Sequence, residues 1–246
     1  MSDINNFLDK NIPPEEEDKI FNSCLEIIVY SYQLMVKEPR KFSRSEIVQI
    51  AREVKKRQVK RLELEDYLRN ILVEEYIEPN QTKFGLENVI FQAGADENSR
   101  GIKTGILDIK VKSPLLNGKT YYVFECKRLN KVIIDKYVTE GVIRFSSKQY
   151  YPDIPVTKAG MISFLESVKA SDQLLVIDSL KELVNTIEKH KGNCNLAKNL
   201  ISHKITSKDA DVDGFQYVFT SVHNRENVNP IMLYHIVLDY NDLVNV

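Results

Sequence analysis

The chain has 246 residues, 43% of them hydrophobic and 28% charged, with a formal net charge of -1 at pH 7. That composition fits an ordinary globular chain whose core needs no covalent staples, and the near-zero net charge predicts no overall attraction to nucleic acid, so any such binding would need a local basic patch. Three cysteines, Cys24, Cys126 and Cys194, are odd in number, far apart and without metal spacing, which points to a reducing compartment. No leader or long apolar run is legible, so the expectation is a cytoplasmic protein with no membrane contact.

Residues 1–14 read as a polar arm closed by Pro13-Pro14. Glu15, Glu16, Glu17 and Asp18 then place negative charge in the first turn of a helix, where the macrodipole favours it. That helix runs through IFNSCLEIIVYSYQLMV, apolar enough to be buried, and stops near Pro39. Ser43, with Glu46 at capping-box spacing, opens a longer helical segment from about Arg44 to Tyr76. Ile47, Ile50, Ala51, Val54, Leu62, Leu68 and Leu72 fall on it at helical spacing. Within it REVKKRQVKR (52–61) holds six basic residues in ten, either a solvated face or a set of phosphate contacts. Glu65 lies on the apolar stripe with Leu68 and Leu72 and needs a partner there, whether a helix arginine (Arg61 or Arg69) or a site. Glu63 lines up instead with Asn70 and Glu74 on the wet face. Pro79 is expected to end the helix.

VIFQ (89–92) reads as a short strand. GILDIKVKSPLLNGKTYYVFECKRL (105–129) then reads as two strands joined at Asn117-Gly118, a pair that tolerates the positive φ of a type I′ turn. A two-residue turn there sets Asp108 opposite Lys127 and Lys110 opposite Glu125. These four share one face, while Leu107, Ile109, Val111, Phe124 and Cys126 share the other. Asp108 and Glu125 become a diagonal pair able to converge on one cation. Pro114, which cannot donate to a ladder, argues for a wider loop.

Downstream, VIIDKYVTEGVIRFSSKQY (132–150) places Ile134, Tyr137, Val138, Gly141, Val142 and Phe145 on one helical face. AGMISFLE (159–166) suits a buried strand, 172–190 an amphipathic helix, and 215–223 with 231–239 a pair of apolar strands. The order predicts an α/β (mixed α+β) fold, a central mixed β-sheet flanked by helices. Residues 1–60 would form a helical N-terminal extension and 61–246 the main domain.

Asp108 with Glu125-Cys126-Lys127 makes a D-x16-E-x-K pattern. E-x-K alone is common: Glu53-Val54-Lys55 is another, mid-helix, where i and i+2 do not face together. The hairpin copy differs because its partner strand carries an acid on the same face. Asp108, Glu125 and the carbonyl of Cys126 have the chemistry to hold Mg²⁺, or Mn²⁺, with several waters retained. A nearby Lys127 would orient a water or offset phosphate charge. The competing account is a solvent-facing hairpin side with cross-strand ion pairs.

These residues, GILDIKV through YVFECKRL, resemble the PD-(D/E)XK nuclease superfamily over roughly residues 60–166. The resemblance implies a restriction-endonuclease-like core, metal binding by Asp108 and Glu125, a catalytic Lys127 and an accessory Glu65. Leu107 stands where the motif's name has Pro. The activity implied is metal-dependent hydrolysis of phosphodiester bonds, most simply in DNA, in a setting of bacterial restriction or phage defence. Arg144 and Lys148, one turn apart on the following helix, and Lys110 would touch the nucleic-acid backbone; a solvated face is the alternative for the helix pair. Cutting both strands within one assembly needs two sites, which suggests a homodimer or a defence-complex partner protein. The alternative function is a non-catalytic nucleic-acid-binding or assembly subunit that keeps the fold.

Other signals are weaker. DADVDG (209–214) begins like a Ca²⁺ loop, but its twelfth position is Thr220, so a turn entering a strand is the better account. Ser221, His223 and Arg225 alternate along one strand and His235 lies in another, where lone histidines are mostly structural. No Gly-rich phosphate loop, nucleophile elbow or zinc set is present in the sequence.

Overall fold

Seven strands form one sheet in the order β2-β3-β4-β5-β8-β7-β6 in a computed structural model, which describes residues 14–55, 64–99, 102–116, 120–147, 149–151, 156–167 and 173–245. The strands are β2 (Ile90–Ser99), β3 (Ile102–Lys112), β4 (Tyr122–Leu129), β5 (Lys158–Leu165), β6 (Leu196–His203), β7 (Val218–Arg225) and β8 (Val228–Asp239). The pairs β4-β5 and β5-β8 are parallel and the others antiparallel. A separate short ladder joins β1 (Phe42–Ser43) to β9 (Val244–Asn245) in parallel. This is the mixed sheet between helices that the element order predicted.

The first helix, α1 (Pro14–Lys37), packs its apolar residues into the same core as the sheet. Phe21 stacks on Phe124 with ring centroids 5.6 Å apart and meets Tyr122 edge-on at 5.0 Å. Each such buried side chain contributes about 1.5–3 kcal/mol. The predicted long helix is α2 (Arg44–Lys55) and α3 (Leu64–Ile71). The second half of the basic stretch, residues 56–61, lies outside the described residues. From α3 the chain runs into a π-helical stretch, Leu72–Ile77, and then into α4 (Glu78–Asn80). Pro79 therefore does not end the helical path. It sits just after the switch from π to α, where Glu78 N still donates to Val73 O, and the path closes at Gly85 with φ +67°.

Downstream, α5 (Ile134–Tyr137), a π turn (Val138–Val142) and α6 (Ile143–Ser146) form one continuous helix, and α7 (Val176–Lys189) follows β5. Strand β2 is longer than the predicted 89–92, and β6 was not expected at all. The β6 sequence mixes polar and apolar residues, and its ladder with β7 is twice irregular, so it has no clean period of two.

The β3–β4 register needs a correction. Ile109 pairs with Phe124, Lys110 with Val123 and Val111 with Tyr122, two residues away from the pairing that a turn at Asn117-Gly118 would set. Those two turn residues lie outside the described set. Ser113 opens a turn of its own, with Leu116 N donating to Ser113 O at 3.0 Å and Leu115 N to Ser113 Oγ at 3.2 Å. That turn, at Pro114, moves the centre of the connection. Because the slip is two and not one, every side chain keeps the face predicted for it.

The sheet's other polar feature is a buried chain of side chains. Tyr137 OH lies 2.8 Å from His235 Nδ1, His235 Nε2 lies 2.6 Å from Ser221 Oγ, Ser221 Oγ lies 2.7 Å from His223 Nε2, and His223 Nδ1 lies 2.7 Å from Cys194 O. With both rings neutral only one proton arrangement satisfies every atom. His223 Nδ1–H donates to the carbonyl, Ser221 donates to His223, His235 Nε2–H donates to Ser221, and Tyr137 donates to His235. Burial pushes the His223 pKa down to about 4 and that of His235 well below the ordinary value. A depressed pKa gives stability that is present above 6.5 and lost as pH falls through the folded value. The stability difference between wild type and His223→Gln is therefore expected to shrink below pH 6.5, by at most about 1.4 kcal/mol per pH unit. Urea titrations of both proteins at several pH values measure it; a constant difference would contradict the neutral-ring assignment.

Among the described residues no helix is long and apolar enough to cross a membrane. The DADVDG segment is a turn leading toward β7. Its Asp209 pairs with Lys83 at 2.5 Å and Asp211 with Lys37 at 2.6 Å.

Candidate active site

The ladder between β3 and β4 stops at Ile109 and Phe124. Beyond it the two strands part, and the backbone N–H groups of Cys126 and Arg128 find carboxylates. Cys126 N donates to Asp108 Oδ2 at 2.8 Å and Arg128 N donates to Glu65 Oε2 at 2.8 Å. Buried backbone donors must be paired, so this fork fixes two acids in place. Glu65 reaches it from the first turn of α3, whose Leu64 and Leu68 are fully buried and seat the helix.

Lys127 lies at the centre. Its Nζ is 2.7 Å from Glu125 Oε1, 3.3 Å from Glu65 Oε1 and 3.7 Å from Asp108 Oδ2, and it donates to Cys126 O at 2.8 Å. Its side chain is only 11% exposed. Burial works against the ammonium charge, but Glu125, Asp108 and Glu65 outweigh it and hold the pKa above the ordinary lysine range. Gly141 lets the helix over β4 come close: a Cβ there would meet Met161 Cε at 2.7 Å and Lys127 Cγ at 3.6 Å.

Glu125 is fully buried. Arg144 Nη1 donates to its Oε1 at 2.7 Å and Tyr150 OH to its Oε2 at 2.6 Å, while Arg144 also donates to Tyr150 OH at 2.8 Å. Burial first, then the charge of Asp108, raises the Glu125 pKa to about 7 against the pull of Lys127 and Arg144. Burial also raises that of Glu65. Asp108 is tied by Arg69, whose Nη1 donates to Oδ1 at 2.9 Å and to Asp66 Oδ1 at 2.8 Å.

The structure thus gathers Glu65, Asp108, Glu125, Lys127 and the Cys126 carbonyl around one point. Arg144, expected at the nucleic-acid backbone, lies against Glu125. Lys110 Nζ sits 3.9 Å from the centroid of the Tyr121 ring. Lys148 lies outside the described residues. Tyr150 was not foreseen, and Arg69, expected as a partner of Glu65, serves Asp108 instead. Arg69, four residues beyond Glu65 on the same face of α3, was legible as a cation on a buried stripe. Tyr150 lies past the end of the helix, where no periodicity marks it.

Among the described residues no group of three or more His, Cys, Asp or Glu side chains stands ready to hold a metal. Lys127 Nζ lies against all three site acids, while Arg69 is bound to Asp108 and Arg144 to Glu125. The donor chemistry nevertheless fits a hard divalent cation, since the oxygens of Asp108, Glu125 and Cys126 are carboxylate and carbonyl. The Cys126 thiol, pushed up by burial, is not part of that set. Comparisons with protein-family models, with curated proteins and with solved structures find no match for this chain.

Proposed function

We propose that the chain is a metal-dependent nuclease that hydrolyses phosphodiester bonds in DNA. The observation that supports it best is the convergence of Glu65, Asp108, Glu125 and the Cys126 carbonyl on Lys127 Nζ. Asp108 and Glu125, with the Cys126 carbonyl, would hold Mg²⁺ or Mn²⁺. When bound, such an ion lowers the pKa of its water and offsets charge on the phosphate. Lys127, displaced from Asp108 and Glu125, would orient the attacking water or neutralise a phosphate oxygen as a compact cation. Glu65 would keep Lys127 aimed, and Tyr150 and Arg144 would keep Glu125 in one rotamer. A role in bacterial restriction or phage defence rests on the resemblance alone.

One observation favours a second account. Glu65, Asp108 and Glu125, the last two buried, already face Lys127, Arg69 and Arg144, so each acid has a cationic partner without a metal. That suits a nucleic-acid-binding or assembly subunit without turnover. Incubation with supercoiled plasmid, linear duplex and single strands separates the two: the nuclease shortens at least one of them in Mg²⁺ and none in chelator. The binding subunit holds nucleic acid equally in both and never shortens it.

The Glu125 pKa sets a pH dependence. Only the carboxylate form can hold a cation, so cleavage and apparent metal affinity are expected to rise through about pH 7. Tyr150→Phe removes a donor from the charged form and should move that limb up by about one pH unit. An unmoved limb would show that Glu125 does not control it.

A further inference from the structure

Strands β4 and β5 run parallel and end side by side, at Leu129 and Leu165. At their carboxyl ends lies a second cluster that the candidate active site does not use. Glu166, 1% exposed, receives Arg128 Nε at 2.8 Å, Arg128 Nη2 at 2.6 Å and Asn130 Nδ2 at 3.0 Å, all on Oε1. Arg44, the first residue of α2, meets the other oxygen and also donates from Nη2 to Ser167 O at 3.0 Å. Two guanidinium groups therefore share one carboxylate.

A purely structural ion pair needs one cation per acid. Here two guanidinium groups meet one carboxylate, and the further acid charge of Glu65 acts on Arg128 alone, in a place where charge is expensive to keep. Burial, and for Arg44 also the charge of Arg128, works against both guanidinium groups. Neither is sealed off: the Arg44 side chain is 17% exposed and that of Arg128 21%. Arg44 Nε is buried without a partner. The carboxyl ends of parallel strands are where open α/β sheets commonly take ligands. The cluster also adjoins the candidate active site, because Arg128 follows Lys127 and its N–H holds Glu65.

We infer that Arg44 and Arg128, held together by Glu166, form a phosphate site for the sugar–phosphate backbone of a bound nucleic-acid strand. Planar guanidinium groups suit that ligand, since each can donate two bonds to one phosphate. The inference rests on nucleic acid being the substrate, but not on cleavage.

The test is binding of a short fluorescent duplex and a single strand in chelator, by anisotropy across a salt series, with thermal melts to check folding. Arg44→Gln and Arg128→Gln should each weaken binding and lower the slope of log K against log salt by about one. Glu166→Gln should do the reverse, tightening binding and steepening the slope, which a merely structural cluster would not do. If Arg128→Gln or Glu166→Gln fails to fold, Arg44→Gln decides alone. Wild-type affinity and slope in the folded variants would overturn the site. Such a result with cleavage intact would leave the nuclease proposal standing, whereas loss of binding in a protein that never cuts would support the site and sink that proposal.

Discussion

Replacing Lys127 by methionine is expected to abolish phosphodiester cleavage and to destabilise the fold in a pH-dependent way. Among the described residues Lys127 is the one cation that touches Glu65, Asp108 and Glu125 together. Methionine keeps most of the stem that passes Gly141 but removes the charge. The three acids then face each other with only Arg69 and Arg144 as counter-charge, and breaking a buried pair in this way costs about 3 kcal/mol. Glu125 would escape part of that cost by protonation. Its pKa is already raised to about 7, and losing a cation raises it further. A raised carboxyl pKa gives stability that is present at low pH and lost as pH rises through the folded value. The variant should therefore be close to wild type at pH 6 and clearly weaker at pH 8. Denaturant melts at the two pH values, beside a cleavage assay, measure both effects. A variant that still cuts would remove Lys127 from the chemistry. One equally stable at both pH values would mean that Glu125 does not sense it.

The second large effect lies in the floor of the site. Gly160→Ala in β5 is expected to cost about 3 kcal/mol, a fall in Tm of roughly 6–12 °C for a chain of this size. Gly160 pairs directly with Phe124 across the parallel ladder, and a Cβ at 160 would stand 2.0 Å from Phe124 Cδ1 and 2.4 Å from Cε1. The ring cannot swing aside, because it is fully buried and stacked on Phe21 of α1. Phe124→Leu in the same chain should recover part of the loss by giving the methyl room. Calorimetry of the single and double variants tests it, and a single variant within about 0.5 kcal/mol of wild type would show that β5 and α1 yield more easily than this packing implies.

Much of the candidate site was legible in the sequence because it depends on parity. Asp108, Glu125 and Lys127 share a face in any register whose slip is even, and the slip turned out to be two. The register itself was not legible, since Asn117-Gly118 signals a turn while Ser113-Pro114 competes with it a few residues earlier. Glu65 stood out as an acid on an apolar stripe, but its partners, Lys127 and the Arg128 N–H, are more than sixty residues away. Helical geometry could propose only local arginines. Arg69 proved to serve Asp108, a long-range pairing of the same kind. The Arg44–Arg128–Glu166 cluster joins a helix start to two strand ends and has no spacing to betray it. Of the fold, strands with a clear period or a continuous apolar run were read correctly. The two-residue β1 and β9, and the irregular β6, carried too little pattern.

The central claim is that the acids around Lys127 are a metal-dependent cutting site. Its most direct test is supercoiled plasmid incubated with wild type and with Asp108→Ala, in Mg²⁺ and in chelator, and resolved on a gel. The account predicts nicked or linear product with wild type in Mg²⁺ alone, and none with Asp108→Ala in a folded state. Intact plasmid in every lane, or equal cutting by the variant, would contradict it.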